Sequence, residues 1–341
     1  MLTATPYLPG RPWVRGDVPL AWRDDHTLQV GDATRVAVVR GIDRELVRWL
    51  VSLQGDRTLD QALDDAEHAG MPRGTALSLL RQVLPTGLVD DSDALPESLR
   101  SAIPELRHRL AGDLAAARLS YGCAREAGRA LTRRLEGSVA IHGDNALADS
   151  VAAALTAAGV VTIVRESRLS SSSRRGRQAS AQRSCHVLCD IAHPEAAADP
   201  DAMALDIPHL PVTAFGSRAV IGPFVLPGLT GCLRCRDLHR ADHDAAWPRI
   251  AVQLQHRRQG IAPVDTALTQ TAAGWAALQV LAWLEADDPE SGALRWPPGW
   301  PAAAPASVGS SVEFARTGGS VTLHACPPHP LCGCRWPSRD A

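Results

Sequence analysis

Two close pairs of cysteines lie 100 residues apart: Cys232 and Cys235 in "GCLRCRDLHRADHD", Cys332 and Cys334 in "HPLCGCRW". If all four serve one ion, the chain must return its late segment to the turn after Gly231, whatever else it folds into. A tetrahedral zinc ion takes sulfur at about 2.3 Å, and thiolates at i and i+3 face one ion through a turn. Cys232 and Cys235 have that spacing, Pro227, Gly228 and Gly231 before them suit a tight knuckle, and Gly333 lets the backbone close between the second pair. His329 and Cys326 are the alternatives for one ligand. Four sulfurs fill the shell and leave no place for water, so the predicted zinc is structural and not hydrolytic. The scattered Cys123, Cys185 and Cys189 read as ordinary thiols of a reducing compartment.

The 341 residues suffice for two domains with cores of their own. Near the start, "LAW", "TLQVG" and "RVAVVRG" read as three short strands. Three helices come next. Apolar residues at Leu46, Val47, Leu50, Val51 and Leu53 make a helical stripe, and Thr58 with Gln61 has capping-box spacing before a stop at Gly70. The third helix carries Leu77, Leu80, Val83 and Leu84 on one side, and "LVDD" returns to extended form. Residues 1–95 are thus predicted to form a winged-helix-like α+β module, and 96–135, rich in Ala, Leu, Arg and Glu, helices that join it to the second domain. From residue 136 to 341, "GSVAIHGDNALADSVAAALTAAGVVTIVRE" gives strand, turn, helix, strand, the building unit of a Rossmann-like α/β domain. "CHVLCDI" continues as a buried strand, two strands flank Gly216, Val264 to Ala286 is the longest helix, and a hairpin turning at Gly318-Gly319 delivers the last cysteines.

The same region speaks against a nucleotide. A dinucleotide or ATP fold needs a glycine-rich first turn so that backbone N–H groups can approach phosphate. Here the turn is "HGDNALA", with Gly143 alone and an acidic Asp144 beside it. All 35 basic residues are arginine, which removes the P-loop, Schiff-base and phosphate-clamp lysines together. The remaining nucleotide-site candidates are Gly143 and Asp190, the latter as a Mg²⁺ ligand or simply a helix cap. ATP binding is therefore not expected.

A net charge of -2 gives no field that would gather nucleic acid or anionic membrane, and the Ser- and Arg-rich stretch 165–183 reads as a surface loop. A groove-reading transcription factor is disfavoured because the third helix offers only Arg73 and Arg81. The start "MLTATPYLPGRPWVRG" lacks a signal peptide's basic and apolar regions, and no apolar run is long enough to span a bilayer, so a cytoplasmic protein is expected.

The segments "CLRCRDLHRADHDAAWPRIAVQL", "VDTALTQTAAGWAALQVLAWL" and "PPHPLCGC" resemble, in the same order, the ThiF-type proteins of peptide-modifying operons in actinobacteria. "TLQVG", "RVAVVRG" and "LPTGLVDD" resemble a RiPP recognition element, the PqqD-like peptide-binding module. Together the chain is similar to the leader-peptide-binding partner of a YcaO cyclodehydratase. The resemblance implies that the YcaO partner holds ATP and makes azoline rings from Cys, Ser or Thr of a precursor peptide, while this chain captures the leader. It also admits a homodimer, and, if the ThiF-type activity survives, adenylation of a peptide carboxylate with Asp190 on Mg²⁺ and Arg218 or Arg236 on phosphate. The expected mode of capture is strand addition at the edge formed by Arg35, Val36, Val38 and Val39, with Leu77, Leu80, Arg81 and Leu84 on the helix side and Arg81 or Arg73 facing acidic leader residues.

Overall fold

The computed structural model describes residues 8–16, 18–31, 37–94, 96, 99, 104–121, 124–166, 184–190, 202–203, 206–256, 264–286 and 305–334. The chain divides into two compact units, Met1–Thr132 and Arg133–Ala341.

In the first unit, strands β2 (Leu20–Asp24), β3 (Thr27–Val30) and β4 (Ala37–Arg40) form an antiparallel sheet in the order β2-β3-β4, so β2 and β4 are its edges. Side chains alternate across a strand, and Leu28, Val30 and Val39 point into the core. A separate pair joins β5 (Val89–Asp91), the extended "LVDD" segment, to β1 (Pro12–Val14), which the sequence does not reveal because three residues are too few to show alternation. Asp43 caps helix α1 (Arg44–Val51) by accepting the Leu46 N–H at 2.8 Å. The expected capping box opens α2 (Leu59–His68), with Thr58 and Gln61 exchanging bonds of 3.3 and 2.9 Å. Helix α3 (Arg73–Val83) brings Ala76, Leu79, Leu80 and Val83 inward against Leu50, Leu63 and Trp49, whose indole N–H donates to the Ala62 carbonyl at 2.9 Å. Helices α4 (Pro104–Tyr121) and α5 (Ala124–Glu136) come after it, where joining helices were predicted.

The second unit is built on a seven-stranded mixed sheet of order β12-β11-β10-β9-β8-β6-β7. Strands β6 (Ser138–His142), β7 (Thr162–Glu166), β8 (Ser184–Asp190) and β9 (His209–Phe215) run parallel. β10 (Arg218–Ile221), β11 (Ser310–Ala315) and β12 (Val321–Ala325) extend them antiparallel. Helices α6 (Ala146–Ala157) and α9 (Thr266–Glu285) pack on one face, closing a core around Val139, Ile141, Leu155, Val187, Leu210, Val212 and Val280. Strand β8 is buried from Cys185 through Cys189, with His186 its one polar side chain in that stretch. Burial pushes the Cys185 thiol up to about 12, leaving it an inert core group.

Arg134 and Glu285 form a buried ion pair, Nε to Oε1 2.6 Å, and Arg134 also donates to the Ala158 carbonyl at 2.8 Å. Two further helices, α7 (Leu233–His243) and α8 (Trp247–His256), come directly after the first cysteine pair begins. No described helix is long and apolar enough to cross a membrane.

Candidate functional site

The two cysteine pairs meet. Cys232 ends the turn before α7 and serves as its N-cap residue, Cys235 lies in the helix's first turn, and Cys332 and Cys334 arrive from the segment after β12. The separations are 3.8 Å for Cys232–Cys235, 3.5 Å for Cys232–Cys332 and 3.4 Å for Cys235–Cys334. A disulfide would need about 2.05 Å. Four sulfurs at about 2.3 Å around a tetrahedral centre lie about 3.8 Å apart, so these distances suit one shared ion.

Cys232, Cys235 and Cys332 are buried among Val225, Met203 and Leu238. Burial and the neighbouring sulfurs push Cys232 up to about 11 and Cys334 higher still. Burial also raises Cys235, but a bond from the His329 backbone and bonds within the quartet outweigh it, leaving this thiol below its usual value. Gly231 is required by the approach of the late segment: a Cβ there would stand 2.2 Å from the Cys326 carbonyl oxygen. The two alternative ligands lie elsewhere. Cys326 bonds Ser311 and the His324 carbonyl, while His329 Nε2 meets Asp242 Oδ2 at 2.9 Å.

Asp242 belongs to a second cluster that spacing alone does not single out, His239, Asp242 and His329, whose ligand atoms lie within 4.8 Å of one another. The hydrogen bond from His329, with the nearby His239 and His243, holds the Asp242 carboxyl below its usual range.

Gly143 and Asp190 both fall at the carboxyl ends of β6 and β8, where the order of the parallel strands reverses and α/β folds bind ligands. The turn there is tied into the protein. Gly143 has φ +128, and a Cβ would stand 2.4 Å from the Cys189 carbonyl oxygen, so close strand packing accounts for the glycine without a phosphate. Asn145 caps α6 by accepting the Ala148 N–H at 3.0 Å and donates to Cys189 O at 3.2 Å. Arg165 donates to Gly143 O at 3.1 Å and pairs with Asp149. Asp190 is the last residue of β8, paired with Thr213. Beside this turn is a buried histidine pair with no signal in the sequence, His142 Nε2 and His186 Nδ1 at 3.0 Å, with Glu166 3.8 Å from the other His142 nitrogen.

In the first unit, β4 lies at an edge of the three-stranded sheet. Arg35 and Val36 lie outside the described residues. Val38 is half-buried at the edge, but Val39 is 4% exposed and Leu80 fully buried, so both face the core and offer no surface to a ligand. Leu77 and Leu84 are half-buried and Arg81 exposed on the same helix end. Arg73 is held by Asp60 and Asp64, which leaves Arg81 the better placed for an acidic partner.

No protein-family model matches the sequence, and no curated protein aligns with it. Solved structures match in fold. The heterocyclase TruD superposes with a TM-score of 0.61 at 18% identity, over 95% of this chain and 42% of that one. A heterocyclase solved in complex with substrate and cofactor gives 0.60 at 16%, over 93% and 38%. MccB of E. coli with ATP gives 0.53 at 13% identity, over 95% of this chain and 99% of that one. The chain thus spans about two fifths of the heterocyclase chains and nearly all of MccB. At these identities the likeness establishes a shared mixed α/β fold with a large mixed sheet.

Proposed function

We propose that the chain is a leader-peptide-binding scaffold. It captures a ribosomal precursor peptide on a winged-helix recognition element within residues 1–95 and presents it to a YcaO cyclodehydratase for azoline formation. Residues 136–341 serve as a ThiF-like frame stapled by a structural zinc on Cys232, Cys235, Cys332 and Cys334. The observation that carries this reading is the edge position of β4, with half-buried Leu77 and exposed Arg81 on the third helix of the same unit and half-buried Leu84 just after it. An extended peptide added there gains main-chain bonds from the edge and apolar anchoring from the helix. The tied-down Gly143 turn favours a scaffold over an ATP enzyme.

The test is a titration of a fluorescent synthetic leader followed by anisotropy. Micromolar or tighter binding is expected, about 8 kcal/mol, weakened at least tenfold by Leu77→Asp, a half-buried position. Unchanged affinity in that variant sinks the groove.

The fold likeness to MccB with ATP, over nearly the full length of both chains, favours a second reading, a ThiF-type adenylyltransferase acting on a peptide carboxylate. ATP–pyrophosphate exchange by the purified chain with a precursor peptide would establish it. The scaffold reading expects none without the partner.

A further inference from the structure

Helix α7 with its N-cap residue presents Cys232, Cys235, His239 and Asp242 at intervals of three, four and three residues, one continuous face nearly three turns long. The whole face meets residues 326–334. Its first two members meet Cys332 and Cys334, and its last two meet Pro327 and His329. His329 is the hub of that second half. Its Nε2–H donates to Asp242 Oδ2 at 2.9 Å, and its Nδ1 accepts the Leu331 N–H at 3.1 Å. Its carbonyl accepts the Cys332 N–H at 3.0 Å. His239 stands edge-on to the His329 ring at 4.7 Å and donates to the Pro327 carbonyl at 3.2 Å.

These bonds decide what the cluster of His239, Asp242 and His329 is for. A histidine that ligates a metal through Nε2 keeps its proton on Nδ1 and donates it onward. Here Nδ1 of His329 is taken by a backbone donor, so the neutral ring carries its proton on Nε2, toward the carboxylate. The arrangement is a hydrogen-bonded latch and not a second ion site.

We propose that Asp242 and His329 are positioning residues of the four-sulfur zinc site: the carboxylate fixes the ring, the fixed ring holds the Leu331 N–H while the His329 carbonyl holds the Cys332 N–H, and the latch so formed places the loop that carries Cys332 and Cys334. The inference rests on the zinc reading above. Outer partners of this kind change metal affinity by about 10–100-fold when removed.

The test uses the full chain loaded with Zn(II), and with Co(II) as a spectroscopic substitute. Wild type is expected to hold one equivalent, with the thiolate-to-cobalt band of a sulfur site. Asp242→Asn removes an exposed carboxylate and should keep the cobalt spectrum, yet release zinc to a competing chelator about 10–100-fold faster. His329→Gln should do the same, and Asp242→Glu should recover most of the wild-type rate. A purely structural contribution would lower the melting temperature of the metal-free protein without changing release. An unchanged release rate in Asp242→Asn overturns the latch and leaves the zinc reading standing. A wild type with no bound metal overturns both. Two equivalents in wild type, the second without thiolate absorption and lost in Asp242→Asn, would show that the cluster is itself a ligand set and overturn the latch.

Discussion

Stripping the metal should open one segment and spare the rest, because the cysteine quartet and the main core share no residue. The large core runs from Val139 to Leu284 and takes nothing from 326–334. Without an ion, the hydrogen bonds outside the quartet that tie that segment to the rest of its unit are Cys326 N–H to Gly309 O at 2.8 Å, the Cys326 thiol to Ser311 Oγ at 3.8 Å, His239 to Pro327 O at 3.2 Å and His329 to Asp242 at 2.9 Å. At about 1 kcal/mol each, and about 1.5–3 kcal/mol for the bond to the carboxylate, they supply roughly 4–6 kcal/mol. Fixing the backbone of residues 326–334 costs about 1–2 kcal/mol per residue, roughly 9–18 kcal/mol in all. A structural zinc contributes about 10–16 kcal/mol in small zinc peptides, which is the scale needed. Hydrogen exchange read by mass spectrometry, with and without a strong chelator, measures this directly. Chelation should abolish protection at the Cys326 and Cys332 amides and leave β6 and β8 unchanged. If β6 and β8 lose protection in step with the tail, the ion supports the whole sheet and the reasoning fails. If the tail stays protected, the quartet needs no ion.

Three further outcomes are expected from the geometry. Gly143→Ala forces a Cβ to within 2.4 Å of a carbonyl oxygen at φ +128 and should cost about 1–3 kcal/mol by urea denaturation. A neutral result would mean the turn is looser than its contacts with Cys189. Arg134→Ala leaves Glu285 buried without its partner and should cost about 3–5 kcal/mol, most of it recovered when Glu285→Gln is added. Equal losses in the single and double variants would deny the coupling. The Cys185 pKa is raised by burial from 9.0 to about 12, so its contribution to stability is full below about pH 9 and is lost as pH rises toward about 12. Urea midpoints at pH 8 and 10.5 should therefore differ, and less so in Cys185→Ala.

Local rules carried much of the architecture. The Thr58–Gln61 box, the strand-turn-helix-strand run from Ser138, the Gly216 and Gly318-Gly319 turns and the long helix from Thr266 all stand where their patterns put them. The errors share one cause, that a face cannot be assigned before its neighbours are known. Leu80 lies on the apolar stripe of α3, and that stripe packs on α1 and α2 rather than on a ligand. Helix α7 gives little signal in the sequence because "LRCRDLHRADH" buries only Leu233 and Cys235, so its polar face shows little apolar period. Asp242 and His329 are 87 residues apart, and His142 and His186 44, distances across which a single sequence offers no pairing signal.

The quartet draws its halves from positions 100 residues apart, so the two halves are also separated in time. At about 5–20 residues per second of synthesis, Cys232 and Cys235 emerge roughly 5–20 seconds before the thiols that complete their shell. During that interval they stand as an open two-sulfur fork, exposed to oxidants and able to seize stray ions, while β11 and β12 have yet to be made. On the zinc reading, loading is a late event, and cells short of zinc would accumulate chains whose sheet is finished and whose staple is missing.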